Sequence, residues 1–462
     1  MSAKTRAKGL AGFPASAPAP ASSRIAVVGA GWAGLAAAVA LTEGGAAVTL
    51  FEAGRVAGGR ARSTALDGRA LDNGQHILLG AYRDTLALMR RVGADPQHLF
   101  TRLPLCLMES GGVPLSPAAA PPRAPRFRLR LPRLPAPLHV AAGLLAAQGV
   151  GWPEKLKTAL WMQGVKWRKF RLGQTQGVSH GQNTSHGQSV AQWLDAAGQT
   201  GALRRHLWEP LCFAALNTAP ENACAQLFAH VLRDSLGSPR RAATDLLLPR
   251  VTLGELLPEP ALAWLARQGA EIRLGQRVRG IVENRVDGEA FAAVIVAVAP
   301  QHVGALLPEA RPAFTYEPIA TVYLDYGPAI ALPFPLLHLG AGSAAWAVDR
   351  GAGLIGCAIS AHGDWENLSD AALAERMAAA LNLGQPRWQQ VIREKRATFS
   401  ARPGLSHPNR RPDYRTADPR VFLAGDYTWA DYPATLEGAV RSGLRAAEAA
   451  LKISAQASKR PA

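Results

Sequence analysis

RIAVVGAGWAGLAAAVALTEGGAAVTLFEAGRVAGGRAR, residues 24–62, contains every part of a dinucleotide-binding β-α-β unit followed by an added segment. The apolar run Ile25 to Val28 predicts a buried parallel strand, and Gly29, Gly31 and Gly34 follow at G-x-G-x-x-G spacing. Gly29 permits the tight turn, Gly31 lets the backbone approach a pyrophosphate with Ala33 beside it, and Gly34 lets the helix lie close to the sheet. A helix from Trp32 to Glu43 would then point free N–H groups at the phosphates. A second strand, Ala47 to Phe51, ends at Glu52, twenty-three positions after Gly29, where a carboxylate can accept both hydroxyls of an adenosine ribose and disfavours NADP. The continuation through Arg55, Gly58, Gly59 and Arg60 is unusual for an NAD domain and points to FAD. Its paired glycines let the chain turn past the cofactor, with Arg55 or Arg60 beside phosphate or flavin.

Outward from this unit, 462 residues suit two interleaved domains rather than one core. Cys106, Cys212, Cys224 and Cys357 show neither C-x-x-C pairing nor zinc spacing. A disulfide framework or structural metal is therefore not expected, and a reducing cytoplasm is. No stretch offers eighteen uninterrupted apolar residues, which argues against a membrane span. Residues 1–23 read as a disordered leader. The net charge of +17 comes from 42 Arg and only 9 Lys, without a nucleic-acid motif, so a nucleic-acid partner is not expected.

The charge is concentrated between Arg102 and Arg171, where twelve basic residues face two acids. Arg123, Arg126, Arg128, Arg130 and Arg133 alternate with Pro and Leu, Leu138 to Val150 is apolar, and Trp152, Trp161 and Trp167 stand among Lys155, Lys157, Lys166 and Lys169. Aromatics and long-stemmed cations suit a headgroup interface, each cation near an anionic leaflet contributing roughly 1 kcal/mol. The alternative is a solvated loop followed by a core helix.

Helices are predicted over Ser189 to Leu203 and Leu207 to Leu236, after a Gln/Ser/His/Gly-rich stretch whose His180 and His186 lack the partners of a metal site. A helix near Pro260 to Gln268, a strand pair around Glu271 to Glu283 and the run Ala292 to Ala299 resemble the second half of the nucleotide sheet. Strands Thr321 to Tyr326, Leu354 to Ile359 and Val391 to Phe399 with a helix Ser369 to Leu381 predict a separate substrate domain. Val421 to Ala424 predicts a last buried strand, followed by Gly425, Asp426 and a helix from Pro433 or Thr435 to Leu451. That helix's N-terminus would stabilise negative charge on a reduced flavin. The organisation read from these signals is an α/β, Rossmann-like FAD-binding domain with an interleaved α+β substrate domain and a helical, membrane-associating region. Its FAD-binding segments fall at 24–100, 237–300 and 413–451. The helical substrate- and membrane-facing region spans 101–236, with an insertion at 173–188. The substrate domain covers 301–412, and a tail follows at 452–462.

Taken together, GAGWAG with Glu52, RVAGGRARS, DNGQHI at 72–77 and AGDYTWADYPATLEGAVRSG resemble the flavin amine oxidase and phytoene desaturase superfamily from about Arg24 to Leu451. DNGQHILLGAYRDTLALMRRVG, LWEPLCFAALNT and GDYTWADYPATLEGAVRSG are similar, more narrowly, to the hydroxysqualene dehydroxylase family. That resemblance implies reduction of hydroxysqualene to squalene by hydride from reduced FAD, in a route to hopanoids or related triterpenoids. It also implies an electron donor that the sequence does not identify. It assigns Gly29, Gly31, Ala33 and Gly34 to pyrophosphate, Glu52 to ribose, and Arg55, Gly58, Gly59 and Arg60 to the middle of FAD. Gly425 and Asp426 would meet the ribityl-phosphate region, Val278 on a strand Ile272 to Val282 the adenine, and Leu436 and Glu437 the flavin ring. His76 would either supply the proton for the departing hydroxyl or only hydrogen-bond cofactor or backbone, with Asp431 and Tyr432 as further acid candidates. A carotenoid-type desaturase and a non-catalytic flavin-binding lipid carrier are the alternative functions. Peripheral attachment at the inner, anionic face of the membrane is expected, because exposing roughly thirty hydrocarbon carbons to water would cost on the order of 20 kcal/mol.

Overall fold

The computed structural model describes residues 24–108, 127–172, 187–310, 312–340, 344–405 and 415–457. The expected leader, Arg123, Arg126, His180 and His186 lie outside them.

Four apolar runs and a half-polar edge strand, Glu271–Leu274, assemble into one five-stranded parallel sheet in the order Glu271–Leu274, Ala47–Glu52, Arg24–Val28, Ala293–Val296, Val421–Leu423. Ile25, Val27, Ala293 and Ile295 face one core while Ala26, Val28, Val294 and Val296 face another. Burial on both faces explains why these strands read as continuous hydrophobic runs rather than alternating ones. Strands from three distant parts of the chain thus share one sheet. The helix Trp32–Glu43 packs across it against the C-terminal helix Leu436–Ala457. The approach is backbone to backbone, since a Cβ on Gly443 would stand 2.0 Å from the carbonyl oxygen of Ala33.

The substrate-domain strands form a second, antiparallel sheet in the order Leu336–His338, Ala345–Asp349, Leu354–Ser360, Tyr316–Asp325, Trp388–Phe399. Two of these, Leu336–His338 and Ala345–Asp349, escaped the sequence reading because each is short. Alternation along the strands separates two faces. Ala320, Val322, Ile355 and Cys357 pack on the helix Asp370–Leu381, which Ser369 caps through the Ala372 N–H. The opposite face turns toward the first domain.

A third core belongs to the helices between Leu138 and Asp234. The helix expected over Leu207 to Leu236 is two helices, Glu209–Leu216 and Ala225–Asp234, preceded by a π-turn at Arg204–Trp208. Asn217 breaks it with φ +47, a left-handed conformation that asparagine tolerates. Its side chain then donates to Thr398 Oγ1 and accepts from the Ala361 N–H, tying this region to the second sheet. Ser189 caps a short helix, Val190–Ala196, rather than one reaching Leu203. Trp161 is not a surface aromatic, because its ring packs 4.9 Å from Trp193 and 5.3 Å from Trp208. Lys155 is buried too and donates to the Leu145 carbonyl. The last helix begins at Leu436, after Thr435 has capped it, leaving Pro433 outside, and it runs past Leu451 to Ala457.

Gly443→Val should force the two packed helices apart and cost about 2 kcal/mol or more in urea unfolding, since overpacking against backbone leaves little room to adjust. Gly164→Ala, at a helical glycine with open space around it, should instead be neutral or slightly stabilising. Equal stability of Gly443→Val and the unsubstituted protein would contradict the close approach.

Candidate active site

The first strand ends in a turn that only glycine fits. Gly29 has φ +106, and a Cβ there would stand 2.6 Å from the Ala297 carbonyl oxygen. One on Gly34 would stand 1.8 Å from the Gly29 carbonyl oxygen. The helix that follows has no side-chain cap at Gly31 and no acid in its first turn, so its leading N–H groups are open to an anion. The Gly58–Gly59 turn, also at positive φ, lies beside it: Gly58 N–H donates to the Ala30 carbonyl, and Gly59 sits against Gly31. Glu52 is held at the edge of this cradle by the backbone N–H groups of Ala30 and Gly54, at 2.7 and 2.8 Å.

The C-terminal segment closes the cradle. Gly425 donates its N–H to Ser442, and Asp426 receives the Arg60 guanidinium at 2.7 Å on both carboxylate oxygens. Burial works against the Arg60 charge, but the Asp426 carboxylate outweighs it and holds the guanidinium protonated. Arg60 also donates to the Ala397 carbonyl on the second sheet. It is therefore a strut joining three segments rather than a free phosphate ligand, while Arg55 stays exposed at the rim.

One cavity of about 1230 Å³ runs from these groups into an apolar chamber lined by Leu79, Leu107, Leu211, Leu246, Leu336 and Val348. It exceeds the roughly 300–1,000 Å³ of an ordinary ligand pocket, which suits a cofactor and a second molecule together. Gly29, Gly31, Ala33, Glu52, Arg55, Gly58, Gly59, Arg60, Val278, Gly425, Asp426, Leu436, His76 and Tyr432 all line it. Gly34 packs immediately behind it.

Three expected placements need correction. Val278 is not on a strand, because Gly275 at φ +74 turns the chain out of the sheet after Leu274; Ile281–Val282 then joins a separate three-stranded sheet. Glu437 is fully buried away from the cavity. Its carboxylate accepts the N–H groups of Asp84 and Thr85 and the Thr85 hydroxyl, capping the helix Arg83–Arg91, and pairs with Arg441. An N-terminus short of acceptors draws this acid across the fold. Asp431 is exposed outside the cavity wall, its carbonyl accepting from His230.

His76 bonds through Nδ1 to the Gly74 carbonyl at 3.0 Å. A carbonyl can only accept, so Nδ1 carries the proton and neutral Nε2 is left as an acceptor. Burial lowers the imidazole pKa, against the Gly74 bond and the Asp72 carboxylate, which raise it. The resting imidazole is thus a hydrogen-bond acceptor toward the cavity and a poor proton donor. Tyr432 donates its hydroxyl to Asp234, and burial and that carboxylate push the phenol well above its ordinary range. Asp234, 198 residues away in the chain, carried no sequence signal; despite its burial, Arg233 and Tyr432 hold its carboxyl below the usual value.

A family model described as flavin containing amine oxidoreductase matches residues 32–451. The hydroxysqualene dehydroxylase of Rhodopseudomonas palustris is 31% identical over 456 residues, covering 93% of this chain and 99% of that protein. The probable zeta-carotene desaturase of Synechococcus elongatus is 26% identical over 500 residues, covering 94% and 99%. Among solved structures, an oxidoreductase from Methanosarcina mazei superimposes with a TM-score of 0.65 at 15% identity, covering 92% of this chain and all of that one, a likeness of fold.

The depressed His76 pKa has a signed consequence for stability. Between the lowered folded value and the ordinary 6.5, the unfolded chain binds more protons than the native one, so this residue makes stability rise with pH in that window and level off above it. His76→Gln should remove a slope of at most about 1.4 kcal/mol per pH unit from urea midpoints measured between about pH 5 and 8. Identical pH dependence in both proteins would contradict a buried neutral imidazole.

Proposed function

The chain belongs to the flavin containing amine oxidoreductase family, and we propose that this FAD-dependent oxidoreductase reduces hydroxysqualene to squalene and water. The observation that carries this reading is the single cavity joining a dinucleotide cradle to a leucine-lined chamber, in a chain whose hydroxysqualene dehydroxylase relative matches it nearly end to end. The desaturase likeness is weaker, at 26% identity.

The residues fit FAD: an uncapped helix terminus, glycine turns without room for side chains, and a carboxylate fixed by backbone N–H groups. Gly29, Gly31 and Ala33 would hold the pyrophosphate, with Gly34 packed behind them to keep the helix close, Glu52 would hold the adenosine ribose, and Val278 would border the adenine. Arg55, Gly58 and Gly59 border the middle of the cofactor, Gly425 its ribityl end, and Leu436 its ring. Arg60 and Asp426 keep these parts together as an ion pair. When bound and reduced, FAD would supply two hydrogens in all, the hydride that takes the hydroxyl's place on the allylic carbon and the proton on which that hydroxyl leaves as water, and would be left oxidised. His76, as a neutral acceptor, positions the substrate hydroxyl, and Tyr432 with Asp234 closes the cavity wall. The leucine chamber excludes water from the allylic carbon.

A long hydrocarbon must reach this chamber without crossing water, and one exposed face of the helical region suits a peripheral membrane contact at the inner, anionic leaflet. Trp152, Leu156, Leu160 and Trp167 on one helix are 68, 62, 66 and 87% exposed. Their spacing places the first three on one helical face. Leu138 and Leu145 on the preceding helix are exposed too, with Lys157, Lys166, Arg168 and Lys169 alongside. No helix among the described residues is long and apolar enough to cross a membrane.

Anaerobic incubation with hydroxysqualene should yield squalene when the flavin is pre-reduced and none when it is oxidised. Oxidation of a polyene precursor in its place would establish a desaturase, and neither reaction a lipid carrier. Trp152→Ser combined with Leu156→Ser and Leu160→Ser should cut co-sedimentation with anionic vesicles about tenfold or more while leaving FAD content unchanged. Undiminished sedimentation would move the membrane contact elsewhere.

A further inference from the structure

Four arginines meet at a second, smaller cleft of about 390 Å³, where Arg83, Arg233, Arg240 and Arg441 are joined by Asp234 and Ser238. The acids within reach are already committed. Asp234 accepts from Arg233 Nε at 2.6 Å and from the Tyr432 hydroxyl, while Arg441 pairs with Asp84 at 2.7 Å and with Glu437 at 3.0 Å. Arg83 and Arg240, both exposed at the cleft, have no carboxylate partner among the described residues. Arg240 donates to the Gly80 carbonyl at 3.3 Å, and burial followed by the Arg83 and Arg102 guanidiniums lowers its pKa, against Glu437. Two such cations repel each other across the cleft, and an anion seated between them relieves that repulsion. The guanidinium fork matches phosphate oxygens in pairs. Ser238 Oγ accepts the Arg240 backbone N–H at 3.2 Å, which leaves the hydroxyl hydrogen to donate to the same ligand.

The place of the cleft in the fold specifies where the phosphate comes from. Its floor, the turn at 237–241, neighbours both helices that carry the exposed apolar residues. On one side a Cβ on Gly237 would stand 2.3 Å from the Phe170 ring, three positions after Trp167, and Lys166, Arg168 and Lys169 are exposed alongside. On the other, Arg241 acts on His139 of the helix Leu138–Ala146, where burial and that guanidinium lower the imidazole pKa. Ala81 and Asp234 line both the cleft and the cofactor cavity. A lipid phosphate at a bilayer surface would meet the cleft, the flanking cations and the apolar face together, whereas a dissolved anion meets the cleft alone.

We propose that the cleft formed by Arg83 and Arg240 with Arg233 and Arg441 is a headgroup site that binds the phosphate of an anionic phospholipid and so docks the protein with its cofactor cavity beside the leaflet. This rests on the membrane-contact reading and adds the lipid chemistry that the contact recognises.

Calorimetric titration of the FAD-loaded protein with monomeric dihexanoyl phosphatidylglycerol, and in parallel with inorganic phosphate, reads the cleft without a bilayer. Co-sedimentation with mixed phosphatidylcholine and phosphatidylglycerol vesicles reads it with one. Both are compared for the unsubstituted protein, for Arg83→Gln with Arg240→Gln, and for Arg267→Gln with Arg285→Gln, exposed arginines that line neither the cleft nor the cofactor cavity. The short-chain lipid is expected to bind at one site and more tightly than inorganic phosphate, because its acyl chains cover part of the exposed apolar face. The Arg83/Arg240 protein should lose that binding and associate with vesicles roughly thirtyfold less, with FAD content unchanged, while the Arg267/Arg285 protein should match the unsubstituted one. Arg83→Gln and Arg240→Gln made singly, each expected to lose about fivefold, keep the comparison should the pair fail to hold FAD. Equal losses in the two double variants would reduce the effect to net charge and overturn the proposal. So would inorganic phosphate binding more tightly than the lipid, which would make this a site for a soluble anion. Vesicle binding that survives undiminished in the Arg83/Arg240 protein would count against the cleft alone. Arg83- and Arg240-dependent binding of the short-chain lipid by a protein that does not sediment with vesicles would count against the membrane-contact reading alone.

Discussion

Contact between backbones at glycine is the constraint on which the rest of this structure depends. At Gly29, Gly34 and Gly443 a single methyl group would collide with a carbonyl oxygen of another turn or helix. These approaches let the first strand's turn, the helix after it and the last helix occupy one layer although some 400 residues of chain separate them. The Arg60–Asp426 ion pair fixes the same junction electrostatically. Burial opposes the Arg60 charge, and the Asp426 carboxylate more than offsets it. Everything that faces the cavity is positioned from this junction.

The cavity that results is polar at one end and apolar at the other, and each end has a different structural origin. Backbone N–H groups and Glu52 at the parallel sheet's edge provide the first. The second is made where the antiparallel sheet, the helices near Leu211 and the strand Leu246–Pro249 converge. His76 and Gln75 stand between them, on a segment that the substrate sheet grips through Thr321 and Tyr323.

The sequence made legible those features whose physics is local. Glycine spacing, the strand before it and the acid after it identify the nucleotide unit because turn, helix and second strand are all contiguous, and four of the five parallel strands follow from their apolar runs, whereas the edge strand Glu271–Leu274 is half polar and only part of the strand pair expected there joins this sheet. Features that depend on a distant partner were hidden. Glu437 stands where a flavin neighbour is expected, but the helix Arg83–Arg91 takes its carboxylate. Trp161 and Lys155 have the composition of an interface, yet one joins an aromatic cluster and the other finds a carbonyl. Asp234 and Tyr432 meet across 198 residues, and nothing in the pattern around either marks the other.

A crystal structure of the oxidised FAD-bound protein with hydroxysqualene tests the account most directly. The expected result is one FAD spanning the Glu52 edge and the Gly425 turn, with the hydrocarbon in the adjoining leucine chamber. FAD bound elsewhere, or a wall of protein between cofactor and lipid, would contradict it.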